Sequence, residues 1–175
     1  MSPNITADVD IRCPAWRDDI NDADQICTRA ALAAVMVAGR PAGGAEVSVV
    51  LCDDAFITDL NFRYRDRQNA TNVLAFPQQD PAQPAEEPVL LGDIVVAHGT
   101  VAREAADAGR RVDHHLSHMV VHGMLHLLGF DHLTDVEADA METLEIMAMA
   151  RLGLPDPYAG EDGSFDVNGD HDDDR

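Results

Sequence analysis

Residues 122–132 read His-Gly-Met-Leu-His-Leu-Leu-Gly-Phe-Asp-His, and no other stretch limits so tightly what this chain can build. A helix advances 3.6 residues per turn, so His122 and His126 leave the same face one turn apart. Two imidazole nitrogens placed that way can bind one metal ion. Gly129 suits a helix end that turns through positive φ, where a side chain would be strained. Such a turn returns His132 towards the first two rings. Three protein ligands leave a fourth tetrahedral position for water, the arrangement of a catalytic rather than a closed structural zinc site. Zinc is the expected metal, because imidazole suits it and the site offers no thiolate. His118 lies one turn before His122 on nearly the same face and could form the helical pair with it instead. The position of Gly129 and the reach of His132 favour His122 and His126. His118 is then a packing residue or a support behind the ligands.

The spacing equals that of metzincin proteases, whose signature places a general-base glutamate directly after the first histidine. Here that position is Gly123. The wider run from His118 to His132 resembles the signature of the YbeY family of bacterial endoribonucleases and rRNA maturation factors. Two further blocks agree with it in order. One is Leu60-Asn61-Phe62-Arg63-Tyr64-Arg65 followed by Thr71-Asn72-Val73-Leu74-Ala75-Phe76-Pro77; the other is Leu91-Gly92-Asp93-Ile94. The resemblance spans roughly residues 5 to 158. Phe130 and Ala75 depart from the residues common in the family, and neither is a candidate ligand.

The resemblance implies a metal-dependent endoribonuclease that cleaves single-stranded RNA during rRNA maturation and ribosome quality control. It implies the small ribosomal subunit and its proteins as partners. It gives Arg65 a catalytic or substrate-binding role and Asp93 a part in ribosome contact. Guanidinium is always charged and offers a fork matched to phosphate. Arg63 and Arg67 flank Arg65 and could add RNA backbone contacts. Read from the residues alone, 63–68 is a basic loop and Asp93 caps a turn. Asp131 either orients an imidazole through its second nitrogen or caps the turn before His132.

Charge sets limits on this reading. The chain has 175 residues, a formal net charge of -20 and no lysine. Broad electrostatic binding to nucleic acid needs a basic face, so RNA must meet a local arginine-lined groove. Two alternatives follow. A non-catalytic ribosome-assembly factor with a structural metal fits the acidity and the lack of an evident general base. A metallopeptidase or amidase fits the histidine spacing but not Gly123. Cys13, Cys27 and Cys52 form neither a disulfide framework nor a CxxC pattern, which suggests reduced thiols in the cytoplasm. No signal-like segment follows Met1 and no apolar run reaches membrane-spanning length, so no membrane association is expected.

The pattern predicts one α+β domain over residues 1–158, a small mixed sheet packed with about five helices, with the three-histidine site at the end of a central helix. Strands are expected over 4–12, 46–52, 71–76 and 89–97. Helices are expected from Asp18 or Asn21 to about Val37, from Asp53 or Asp54 to about Phe62, and over 100–108. Two more are a histidine-bearing helix capped by Asp113 and a last helix from a Thr134–Glu137 capping box to about Leu152. Ala140, Met141, Leu144, Met147 and Met149 are its candidates for burial. Residues 77–88 hold four prolines and read as a flexible loop. Residues 159–175 are too acidic and too poor in apolar side chains to offset their ordering entropy, so a disordered tail is expected.

Overall fold

A computed structural model describes residues 3–41, 43–78 and 88–159 of the chain. In chain order the elements are β1 (Asn4–Ile11), α1 (Ala15–Asp19), α2 (Ala23–Ala38), β2 (Gly44–Cys52), α3 (Asp54–Arg65) and β3 (Val73–Pro77). There follow β4 (Val89–Ala97), α4 (His98–Asp107), α5 (Val112–Leu127) and α6 (Asp135–Arg151). The strands form one mixed sheet in the order β1-β2-β4-β3. β1, β2 and β4 run parallel, and β3 pairs antiparallel with β4 at one edge. The fold is α+β, with six helices among the described residues rather than about five; the addition is the short α1.

α5 is the axis of the molecule. Every residue from His115 to Leu125 is buried, the mark of a helix with protein on all sides. It packs on β3 and β4, against α2 and α4, and under α6. Alanines make this density feasible: Ala30, Ala31 and Ala34 of α2 are fully buried and let the helix backbones approach. A second, smaller cluster of Cys52, Ile57, Leu74, Val95 and Ala97 lies beneath α3. The three cysteines are free thiols. Burial first, and then nearby aspartates, push Cys27 and Cys52 up to about 12, so both are unreactive packing groups.

At Gly123, α5 lies close on the sheet. A Cβ on that residue would sit 3.0 Å from Cγ2 of Ile94 and 3.3 Å from two more of its atoms. The position that carries a glutamate in metzincins is here pressed against β4.

Several elements depart from the sequence expectations. α2 starts after Asp22, which makes no side-chain cap hydrogen bond, and the turn of α1 takes up the Asp18 region. α3 does not stop near Phe62. It runs on to Arg65 and closes on Asp66 at φ 55, so Arg63 and Arg65 belong to its last turn, not to a basic loop. Its start is as expected, with Asp53 accepting from the Phe56 N–H. Asp113 lies inside the first turn of α5, bound to Arg111, and does not cap the helix. Thr134 caps α6 by accepting from the Glu137 N–H. Glu137 returns to the Thr134 hydroxyl, so the reciprocal half of the box is made side chain to side chain.

On α6, Met141 and Met149 are buried, whereas Ala140 and Met147 face solvent. Leu91-Gly92-Asp93 is not a turn but the interior of β4, at the register shift against Glu46 and Val47. Gly92 has φ 139, and a Cβ there would fall 2.1 Å from the Phe76 carbonyl oxygen. Only glycine lets β3 lie so close. The loop expected at 77–88 falls mostly, and the acidic tail almost wholly, outside the described residues.

Candidate metal centre

The end of α5 is built by local chemistry. Gly129 has φ 98. Its N–H donates to the His126 carbonyl, and the Phe130 N–H donates to the Leu125 carbonyl. These two bonds form the six-residue helix stop in which glycine reverses the chain. The chain then comes back alongside the helix. Oδ1 of Asp131 accepts from the His132 N–H at 2.7 Å, so this carboxylate braces the returning turn.

The three rings meet as a result. The ring centroids of His122 and His126 are 4.7 Å apart, those of His126 and His132 are 5.0 Å apart, and His132 stacks on His122 at 5.8 Å. One nitrogen from each of His122, His126 and His132 lies within 4.8 Å of the others. Nε2 of His126 is 3.1 Å from Nε2 of His122. Two ligands on one tetrahedral zinc at about 2.05 Å would stand about 3.3 Å apart. The separation therefore fits a shared cation. Burial first, then His122 and His132, push His126 down to about 3. Its imidazole is thus neutral at ordinary pH, the form that ligates metal.

Behind the ligands stands a carboxylate that the sequence reading missed. Glu145 of α6 is buried, and its Oε2 accepts from Nδ1 of His122 at 2.9 Å and from Nε2 of His118 at 3.0 Å. Tyr158 donates its hydroxyl to Oε1 of the same group. Burial alone would raise the Glu145 carboxyl, but His122 and His118 outweigh it and hold the group ionised, well below the usual range. An ionised carboxylate only accepts, so the bonded ring nitrogens carry the protons. Nε2 of His122 is left as a lone pair aimed at His126. Nε2 of His118 points to Glu145 instead, which takes His118 out of the convergent set. A signal was available in the sequence: Glu145 shares a helix face with Met141, Ala148 and Met149, and a charge on a buried stripe implies a buried partner.

Arg65 lies at the sheet edge. Its guanidinium donates to the Ala75 carbonyl at 3.2 Å and approaches the Phe76 ring at 5.7 Å. Asn72 and Gln78 bond towards β4, so by alternation the Ala75 carbonyl faces the open edge of β3. Ala75 pairs with Ile94, the residue under Gly123. The carbonyl that Arg65 binds thus belongs to the residue paired with Ile94. Arg63 is exposed and paired with Asp59 at 3.1 Å. Arg67 follows the Asp66 turn, its N–H bonded to the Asn61 carbonyl. Asp93 is half-buried on β4 opposite Phe76.

The family described as Endoribonuclease YbeY matches residues 11–153. The chain belongs to that family. An Endoribonuclease YbeY of Rhodopseudomonas palustris is 47% identical over 156 residues, covering 89% of this chain and 82% of the relative. One from Paramagnetospirillum magneticum is 46% identical over 162 residues, covering 90% and 98%. The solution structure of TM1509 from Thermotoga maritima aligns with a TM-score of 0.52 at 19% identity, over 90% of this chain and 97% of that one. That likeness bears on the fold alone. The three-histidine turn, Arg65 and Gly92 all lie inside the segment matched to the YbeY family.

Proposed function

We propose that this YbeY-family chain is a metal-dependent endoribonuclease that cleaves single-stranded RNA in rRNA maturation and ribosome quality control. The observation that carries the reading is the convergence of His122, His126 and His132 at the end of α5, backed by Glu145. Zinc is the proposed metal, one per chain. When bound there, it supplies Lewis-acid polarisation of a phosphoryl oxygen and a more acidic water. His122 is turned to present Nε2 by the bond from its Nδ1 to Glu145, and His118 and Tyr158 hold that carboxylate in place. Arg65 binds the scissile phosphate and stabilises charge that develops on it. Arg63 and Arg67 add contacts to the RNA backbone, and Asp93 contributes to ribosome contact. The proposed setting is the cytoplasm, with the small ribosomal subunit and its proteins as partners. No described helix is long and apolar enough to cross a membrane.

A peptidase reading is disfavoured by Gly123, where even a Cβ would press on Ile94. The test is cleavage of unpaired RNA and of casein by highly purified, metal-loaded protein. RNA cleavage that falls with metal removal supports the proposal. Binding to small ribosomal subunits without any cleavage would instead favour an assembly factor with a structural metal.

A further inference from the structure

Arg40 follows the C-terminal glycine of α2 and has no assigned role. Its guanidinium carbon lies 4.2 Å over the ring of Phe130, the residue that closes the α5 stop. The terminal nitrogen Nη2 reaches to 3.8 Å from where a Cβ of Gly129 would stand. Arg40 is thus anchored on the turn that delivers His132, two residues beyond Phe130. Arg12, Arg63, Arg103 and Arg111 are each tied to an aspartate. Among the described residues Arg40, like Arg17, Arg29 and Arg151, shows no carboxylate partner, although the chain carries a net charge of -20; of these four, Arg40 is the one laid on the Phe130 ring at the α5 stop. An aromatic face holds a guanidinium by its flat side and leaves the N–H edge available. In a molecule this acidic, a cation kept clear of carboxylates beside a metal turn is suited to an anion from outside.

We infer that Arg40 binds a phosphate of the RNA strand on the His132 side of the metal centre, as a second clamp apart from Arg65 at the β3 edge. The inference rests on the proposed RNA substrate. Two cations on separate elements, one after α2 and one ending α3, would hold the backbone on both sides of the histidines. Arg40 is a positioning residue: it fixes the strand and does not touch the reacting phosphate.

The experiment measures binding of a short unpaired RNA to full-length, metal-loaded protein across a salt series, with kcat and KM determined separately. Arg40→Ala is expected to weaken binding about tenfold or more, as for loss of one charge-assisted contact. The slope of log affinity against log salt should fall by about 0.7, the loss of one phosphate contact on a single strand. KM should rise while kcat is nearly kept. Arg40→Lys should restore the slope, because the charge returns. A residue that only holds the turn would change metal content or melting temperature and leave the slope alone. That outcome, or an unchanged slope in Arg40→Ala while the wild type binds RNA, overturns the clamp and leaves the nuclease reading standing. A wild-type protein that neither binds nor cleaves RNA overturns both.

Discussion

Oε2 of Glu145 lies 2.9 Å from Nδ1 of His122, so the ring's other nitrogen is the one that faces His126. The bond decides the tautomer, and the tautomer decides which atom can ligate. α6 therefore contributes to the centre without supplying a ligand. His118 and Tyr158 donate to two further acceptor positions of the carboxylate and keep it from turning away.

Replacing Glu145 by Gln keeps the shape but removes the charge that holds the two histidine protons, and it puts an amide donor where Oε1 accepted, so the Tyr158 hydroxyl must reverse its role. Metal affinity should fall about 10- to 100-fold, the usual cost of losing such a support. Competition against a chromogenic chelator measures it. Glu145→Ala leaves buried donors unpaired and should also cost about 3 kcal/mol of stability or more. Unchanged affinity in Glu145→Gln would show that the carboxylate is only packing.

The depressed His126 has a consequence for the metal-free protein. Its folded pKa, near 3, lies below the unfolded value of 6.5. Between those values the unfolded chain binds the extra proton, so stability rises with pH across this window and is lost as pH falls through it. The slope for one proton is about 1.4 kcal/mol per pH unit. Urea unfolding of metal-free protein from pH 7 to pH 4 should show this loss, and His126→Asn should reduce it, leaving the part due to the buried His118, which burial also pushes down. A wild-type midpoint constant over that range would contradict the burial of a neutral ring.

Gly123→Ala tests why no glutamate follows His122. The added methyl would press into Ile94 at 3.0 Å, and overpacking of this kind costs about 1–3 kcal/mol. Adding Ile94→Ala should recover part of the loss, because the two side chains compete for one space. A double-mutant cycle by denaturant unfolding measures the coupling, expected at about 0.5 kcal/mol or more. Additive effects would mean that α5 shifts to make room.

Much of the centre was legible because it is local. Eleven residues from His122 to His132 contain the three rings and the glycine that reverses the chain. Helix periodicity and positive φ suffice to join them. Glu145 was not legible in the same way, because its partner His122 lies 23 residues earlier on another helix. The end of α3 was misjudged for a different reason. Arg63, Tyr64 and Arg65 have no apolar period to mark them as helical, and the stop uses Asp66 in the left-handed region where glycine is the usual signal. Gly92 misled in the opposite sense. It resembles a turn residue, but its role is to let the Phe76 carbonyl approach a strand interior.

Residues 160–175 hold few apolar side chains. Their deletion should leave metal content unchanged and shift the melting temperature by less than about 5 °C, the scale of a kcal/mol for a domain of this size. Differential scanning calorimetry of the shortened chain decides it. A larger drop would show that this acidic segment docks on the domain.

Arg65 separates chemistry from fold. Its anchors include the Ala75 carbonyl at an open strand edge, and losing a half-exposed contact there should cost little stability. The histidines and Glu145 do not depend on it for their mutual bonds. Arg65→Ala should therefore keep its metal and its melting temperature but lose most RNA cleavage. The expected loss is about a hundredfold or more, because a guanidinium acting on developing phosphate charge works chiefly in the transition state. Arg65→Lys should recover only part, since lysine keeps the charge but not the planar pair of donors. The acidic surface provides little long-range attraction to compensate. Single-turnover cleavage of unpaired RNA by metal-loaded, highly purified variants measures the effect. Equal rates for wild type and Arg65→Ala would remove Arg65 from the mechanism and shift the balance towards a metal-stabilised assembly factor.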